Sequence, residues 1–527
     1  MYKTQLFACL FFLTSSCFAQ QSISKKYLHF LSSDSLKKQL SIIADDNMEG
    51  RETGTAGQRK AADYIESQFI GGGLSRPAGM YSHKQIFYVT QEKLTKSLLN
   101  IGDIQATNFK DFYFPLRYNK TDNIVSDKII FVGYGIEDKK YNEYKDVDVK
   151  GNIVAFFDDV PGFLSLVPDE DNGQASYENY WDLNKKIEVA ASKGAVGVLV
   201  INTGSDENIK RAASYNKTSG LFLSPTFKLT ASLNYAVISQ KLALKIFGPS
   251  FAPVIKKAKN AKPLNTSVCA IKKNLRLQVE IKTDSIPSSN VLGIVEGSDK
   301  KDEFVYVTAH YDHLGIQDGE IYNGADDDGS GTCAVIQMAK AFAKAKQEGN
   351  GPRRTMVFMT VSGEEKGLWG SEYYTDHPLY PLDKTSADLN IDMIGRIDTE
   401  RNKADTLNYV YVVGHNKISS ELPIVAESTN RQTTQLVLDY KFDAPNDPER
   451  IYYRSDHYNF ARKGVPVLFF YDGMLLADYH QPTDDIDLIN WPLYEKRTQF
   501  IYHTAWEIAN RDNQLIRDKP LPNSRYR

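Results

Sequence analysis

The chain has 527 residues, more than one hydrophobic core organises, so two or more compact units are expected. A hydrophobic share of 42% and a charged share of 24% are those of a globular protein and exclude the disordered and fibrous classes. Lys+Arg 63 against Asp+Glu 66 leaves a net charge of −3 without a long run of one sign, so nucleic acid and anionic membrane surfaces are not expected partners.

In chain order, MYKTQLFACLFFLTSSCFAQQ places Lys3 before an apolar stretch at residues 6–13 and small residues around Ala19. This predicts a signal peptide over 1–19 and an exported protein, periplasmic or extracellular; the apolar stretch is too short to stay as a membrane span. Lipoprotein anchoring through Cys17 is the weaker reading, since TSSC lacks an apolar residue three before the cysteine. Cys9 and Cys17 leave with such a signal, and Cys269 and Cys333 read as isolated buried thiols.

Next, SLKKQLSIIADD and TAGQRKAADYIESQFIGG carry apolar residues at helical spacing, with DNMEGRETGTAG between them as a polar, turn-rich loop. Residues 20–110 are expected to form the N-terminal helical part and lead-in of a larger domain. From about residue 85 the texture turns to short β-like runs, KIIFVGYGI, GNIVAFFDD and VGVLVINT, with one helix, NKKIEVAASKGA. This predicts a mostly β insertion over 111–287. Over 288–527, NVLGIVEG, EFVYVTAH, TCAVIQMAKAFAKAK, TMVFMTV, ADLNIDMIG, YVYVVG and VPVLFFYDG alternate strand and helix, which predicts an α/β domain covered on both faces.

Polar clusters fall where these strands end, the usual place for ligands in an open α/β sheet. His310 and Asp312 share a face at the end of one strand. Asn323-Gly324-Ala325-Asp326-Asp327-Asp328-Gly329 leads into a helix; capping uses one or two carboxylates, so a third is spare for a metal. Glu364 and Glu365 follow TMVFMTV and a turn at Gly363. Adjacent carboxylates in a dry place need a cation, a shared proton or solvent. A metal on Glu365 relieves the pair and leaves Glu364 as general base for a metal-bound water. Asp392 sits in an apolar strand, and His480 follows VPVLFFYDG. Ser455-Asp456-His457 has no G-x-S-x-G elbow beside it and is read as pocket lining or support. The set His310, Asp327, Glu365, Asp392 and His480, all nitrogen and oxygen donors, suits two zinc ions about 3.5–4 Å apart.

HYDHLG, NGADDDGSG, SGEEKGLWGS, IDMIGR and DYHQPTD resemble the motif series of the secreted co-catalytic di-zinc aminopeptidases. That superfamily also holds glutamate carboxypeptidases, glutaminyl cyclases and inactive transferrin receptors. The resemblance implies a zinc-exopeptidase-like mixed sheet with helices on both faces, and the insertion resembles a protease-associated domain. It implies one zinc on His310 and Asp392, a second on Glu365 and His480, and Asp327 between them. Glu364 is then the base and Asp312 orients His310. Tyr479 and Tyr452 both match positions that steady the oxyanion in different members; His457, in the Ser455-Asp456-His457 segment, and Arg396, which lies near the motifs, are candidates for lining the substrate pocket. The implied activity removes N-terminal residues from peptides with a free N-terminus. A carboxypeptidase of the same fold, or a non-catalytic receptor or peptide-binding protein, are the alternatives. Oligomeric state is left open by the motifs.

Overall fold

The computed structural model describes residues 22–138, 141–162, 183–204, 209–211, 220–223, 232–264, 269–401 and 407–521. The expected signal peptide at 1–19 lies outside them. No helix among the described residues is long and apolar enough to cross a membrane. Two compact units form, one from the chain through Tyr88 together with Pro287–Arg527, the other from Val89–Ile286, which takes in residues 89–110 of the expected lead-in.

In the first unit, helix α1 (Ser33–Ile43) starts where the Ser32 side chain accepts from Ser35 N, and it buries Leu36, Leu40 and Ile43 one helical turn apart. Helix α2 (Ala56–Gly71) is capped in the same way by Thr55 and stops at Gly72. The sheet strands are β1 (Cys269–Val295, its last part in this unit), β2 (Lys300–His310), β3 (Arg354–Val361), β4 (Thr385–Ile391), β5 (Tyr409–Val413), β6 (Val437–Asp439) and β7 (Val467–Tyr471). Their order across the unit is β6-β5-β7-β4-β2-β3-β1. Strand β2 runs parallel to β3 and β4, and β4 parallel to β7, whereas β1 and β5 are antiparallel to their inner neighbours. Four central strands therefore end at one edge, and their β-branched and aliphatic runs are buried on both faces.

One face packs on α1, α2, α3 (Gly331–Gln347) and α6 (Trp491–Asn510), with Val305, Val307, Met356 and Phe358 pointing into it. The other holds Tyr306, Val357, Met359, Tyr374 and Phe460 beneath α4 (Trp369–Asp376) and the short helix α5 (His457–Ala461). The mixed sheet with helices on both faces is as expected. Phe342 of α3 meets Phe358, Tyr502 and Trp506 with ring centroids 5.6, 5.3 and 5.1 Å away. Phe342→Ala is expected to cost about 3–5 kcal/mol, read as a lower urea midpoint at unchanged slope.

The second unit pairs Asp122–Phe131, Ile153–Phe157, Gly197–Ile201 and Tyr235–Ile238 in parallel. Besides the expected helix, Leu183–Ser192, it contains Gln240–Phe247 and Ala252–Lys259, so it is more helical than the sequence reading allowed. The signal was available: Ser239 caps at Leu242 N, and Leu242, Ile246 and Phe247 share one buried face.

Candidate metal centre

The three aspartates after β2 divide their work. Asp328 accepts from His310 N, Gly331 N and Met393 N at 3.1, 2.9 and 3.0 Å, clipping the ends of β2 and β4 to the start of α3. A side chain at position 331 has no room, since its Cβ would lie 2.4 Å from the Asp328 carboxylate. Asp326 accepts from Gly395 N at 2.7 Å, and the Asp484 carboxylate receives the backbone N–H groups of Asp326 and Asp327. That leaves the Asp327 side chain free of capping duties, and it turns into the edge of the sheet.

Around it the predicted donors converge. His310 Nε2 lies 3.3 Å from Asp327 Oδ1, 3.5 Å from Asp392 Oδ1 and 3.9 Å from Glu364 Oε2. On the other side His480 Nε2 is 3.2 Å from Asp327 Oδ2 and 3.0 Å from Glu365 Oε2. One aspartate thus faces both histidines through different oxygens. Among the described residues two sets can hold a metal ion, His310 with Glu364 and Asp392, and His313 with Asp327 and Glu365. The second includes His313, which the sequence reading passed over although it stands in HYDHLG.

The donor chemistry fits zinc: imidazole and carboxylate, no thiolate, with Cys333 buried in α3 away from the set. Buried Asp327 Oδ2 and Glu365 Oε1 have no hydrogen-bond partner, as expected of atoms meant for a cation.

Electrostatics sort the neighbouring glutamates. Burial, then Asp392 and Glu365, push Glu364 well above the usual carboxylate range, against the pull of His310. Burial also opposes ionisation of Glu365, yet contacts with His313 and His480 hold it down to about 2. Asp327 stays well below the usual range despite burial because it touches His310 and His480.

His480 is raised to about 10; burial lowers it, and contacts with Asp327 and Glu365 more than reverse that. The ordinary value is about 6.5, so in metal-stripped protein this group stabilises fully below that pH, and the contribution is lost as pH rises through about 10. Cation uptake needs the neutral ring. Adding zinc to the stripped protein in weakly buffered indicator at pH 8 is therefore expected to release protons; uptake without release contradicts this.

Asp312 behaves differently from expectation. His310 Nδ1 meets the main-chain oxygen of Asp312 at 3.1 Å, whereas the carboxylate stays 3.9 Å from that ring. The carboxylate instead accepts from Thr53 Oγ1 at 2.7 Å and from Glu364 N at 3.2 Å, so it positions the glutamate turn.

Among the other expected residues, Tyr479 stacks on His480, rings 3.9 Å apart, and lines the cavity beside Asp327, Glu364 and Asp392. Tyr452 is buried against His457 and does not line it. His457 is fully buried, stacked on Phe469 at 4.6 Å and pushed down to about 3 by burial, so it belongs to the core. Arg396 is committed elsewhere: its Nη2 donates to Asp478 at 2.6 Å and its backbone N–H to Asp472 at 2.7 Å, anchoring the loop that carries Tyr479 and His480. Arg497 of α6, fully buried, donates to the carbonyls of Ile394 and Arg396 at 2.9 and 2.7 Å beneath that anchor. The cavity holds roughly 360 Å³ including its open mouth, and Met393, Ile451, Phe469, Tyr471 and Leu475 form an apolar wall.

The loop expected to be polar and turn-rich, DNMEGRETGTAG, also supports the centre. Arg51 is fully buried and donates to the carbonyls of Tyr311, Ile43, Asn323 and Gly324 at 2.8, 2.7, 2.7 and 2.9 Å. It ties α1 to both segments that bring His310 and Asp327. Arg51→Met strands these acceptors and is expected to destabilise by about 3 kcal/mol, measured by denaturant unfolding, with weaker zinc retention.

A mixed sheet whose parallel strands deliver imidazoles and carboxylates to one edge defines a zinc-exopeptidase-like α/β protein. Residues 290–505 match the model of Peptidase family M28, and the resemblance to the zinc aminopeptidase superfamily holds. Aminopeptidase YwaD of Bacillus subtilis is 26% identical over 234 residues, 43% of this chain and 46% of that protein. A probable zinc metalloprotease of Leptosphaeria maculans is 32% identical over 121 residues, 22% of this chain and 27% of that protein. The chain thus spans less than half the length of these relatives. The solved aminopeptidase from Aneurinibacillus sp. strain AM-1 shares the fold with a TM-score of 0.54 at 16% identity, covering 95% of this chain and 100% of that one.

Proposed function

We propose that this chain is an exported zinc aminopeptidase that releases N-terminal residues from peptides. The carrying observation is Asp327, with one oxygen 3.3 Å from His310 and the other 3.2 Å from His480, an arrangement suited to sharing between two ions. His310 and Asp392 would hold one zinc, Glu365 and His480 the other. Two bound zinc ions supply Lewis acidity and a water that ionises near neutral pH. Glu364 takes the proton of the attacking water and passes it to the leaving amine, with its backbone fixed by Asp312. Tyr479 presents its hydroxyl where the developing oxyanion forms. The apolar wall receives one side chain, and the carboxyl groups of Asp327, Glu364 and Asp392 beside it suit a free α-amine.

The similarity to an aminopeptidase and to a probable zinc metalloprotease supports this reading. Residues 1–19 would direct export, and the segment 111–287 would be a protease-associated domain that governs access or docking.

The test uses purified full-length protein, zinc analysis and matched peptides blocked at either end. Two zinc ions per chain, cleavage of C-amidated peptides and resistance of N-acetylated ones are expected. The opposite preference makes the protein a carboxypeptidase. Absence of both zinc and turnover leaves a peptide-binding protein.

A further inference from the structure

His313 has no part in the assignments so far. It is fully buried, and neither ring nitrogen has a hydrogen-bond partner among the described residues. Its Nδ1 nevertheless lies 2.8 Å from Glu365 Oε1 and 3.9 Å from Asp327 Oδ2. These three atoms are all buried and all without partners. They lie close enough together to hold one ion. A neutral imidazole nitrogen and a carboxylate oxygen at that separation repel through their lone pairs unless a proton or a cation lies between them. No well-aligned hydrogen bond joins the pair, and a cation that also reaches Asp327 Oδ2 satisfies all three atoms at once, which a single proton cannot do.

The ring is also held in place. Gly324, at φ +51°, packs so closely that a Cβ there would sit 2.5 Å from the His313 ring, and the ring meets His480 edge-on at 5.8 Å. A polar side chain fixed so firmly, with nothing to satisfy it, is costly unless a ligand completes it.

We propose that His313 is a metal ligand through Nδ1, a further protein donor to the zinc assigned to Glu365, Asp327 and His480. The inference rests on the metal-centre reading above. It gives that zinc two imidazoles where the other has one, so the two ions are held unequally. The ion on the His313 side is the tighter bound. The carboxylate of Glu365 then needs no separate partner for Oε1, because the same cation neutralises both oxygens.

The experiment is proton NMR of the full-length protein loaded with Co(II), comparing spectra in H₂O and D₂O. Each ligating imidazole contributes a strongly shifted, exchangeable N–H signal. Signals are expected from His310, His480 and His313, and His313→Asn should remove one of them. The same variant should raise the dissociation constant of one ion at least tenfold and leave the other within threefold. Aspartate offers an oxygen near the position of Nδ1 and cannot donate a hydrogen bond when ionised, so His313→Asp should retain the second ion better than His313→Asn. Signals from only two imidazoles in the wild type overturn the proposal without needing any variant to fold. A His313→Asn protein with unchanged metal affinity overturns it as well. If the wild type takes up no stoichiometric metal, the metal-centre reading itself fails, a result distinct from either.

Discussion

Glu364→Gln should retain its zinc and lose about 10²–10⁴-fold or more in kcat, with KM little changed. At 1.36 kcal/mol per decade this is about 3–5 kcal/mol of barrier. Glutamine keeps the shape and the backbone bond from residue 364 to Asp312, so the turn should persist. What it removes is a proton acceptor in a place where burial and two neighbouring carboxylates favour taking up a proton. The oxygen nearest His310 remains 3.9 Å away, too far to make it that ring's main support. Zinc content beside steady-state kinetics on an unblocked peptide decides the matter. Turnover close to wild type would remove Glu364 from the proposed chemistry, and loss of zinc would make it a ligand instead.

Asp327→Ala is the more drastic change. No other predicted donor approaches both His310 and His480, so the variant should emerge from dialysis nearly free of both ions and inactive. The backbone at this position is held by Asp484 at 3.0 Å, independently of the side chain, and the fold should survive. Circular dichroism with metal analysis separates the two effects. Retention of one tightly held zinc would show that the carboxylate is not shared. His480→Ala serves as the contrast, expected to weaken one ion only.

The strands and helices that position this centre were legible because their hydrophobic periods are strong: β2, β3, β4 and β7 are apolar runs closed by polar turns, and α3 is a long apolar helix. Of the five expected donors, His310, Glu365 and Asp392 stand at or just beyond the end of such a run, whereas Asp327 leads into α3 and His480 lies in a loop after β7. Less legible was everything that depends on side chains meeting across distant segments. Arg51 looked like a charge in a polar loop, yet it satisfies four carbonyls inside the protein. Arg396 looked available to substrate, but its guanidinium donates to Asp478 while Asp472 accepts its backbone N–H. Nothing local distinguished Asp327 from its neighbours either. Its role emerges only when Asp484 and Met393, far along the chain, occupy the backbone of one aspartate and the carboxylate of another.

The span from His310 to His480, with Arg497 holding the Ile394 and Arg396 carbonyls and Arg396 in turn donating to Asp478, also bears on biogenesis. A polypeptide emerging from the ribosome carries the earlier donors long before the final histidine and the helix after it arrive. Until that last stretch docks, the nascent chain holds an incomplete donor set, so the proposed centre would not retain its metal before residue 480 is in place.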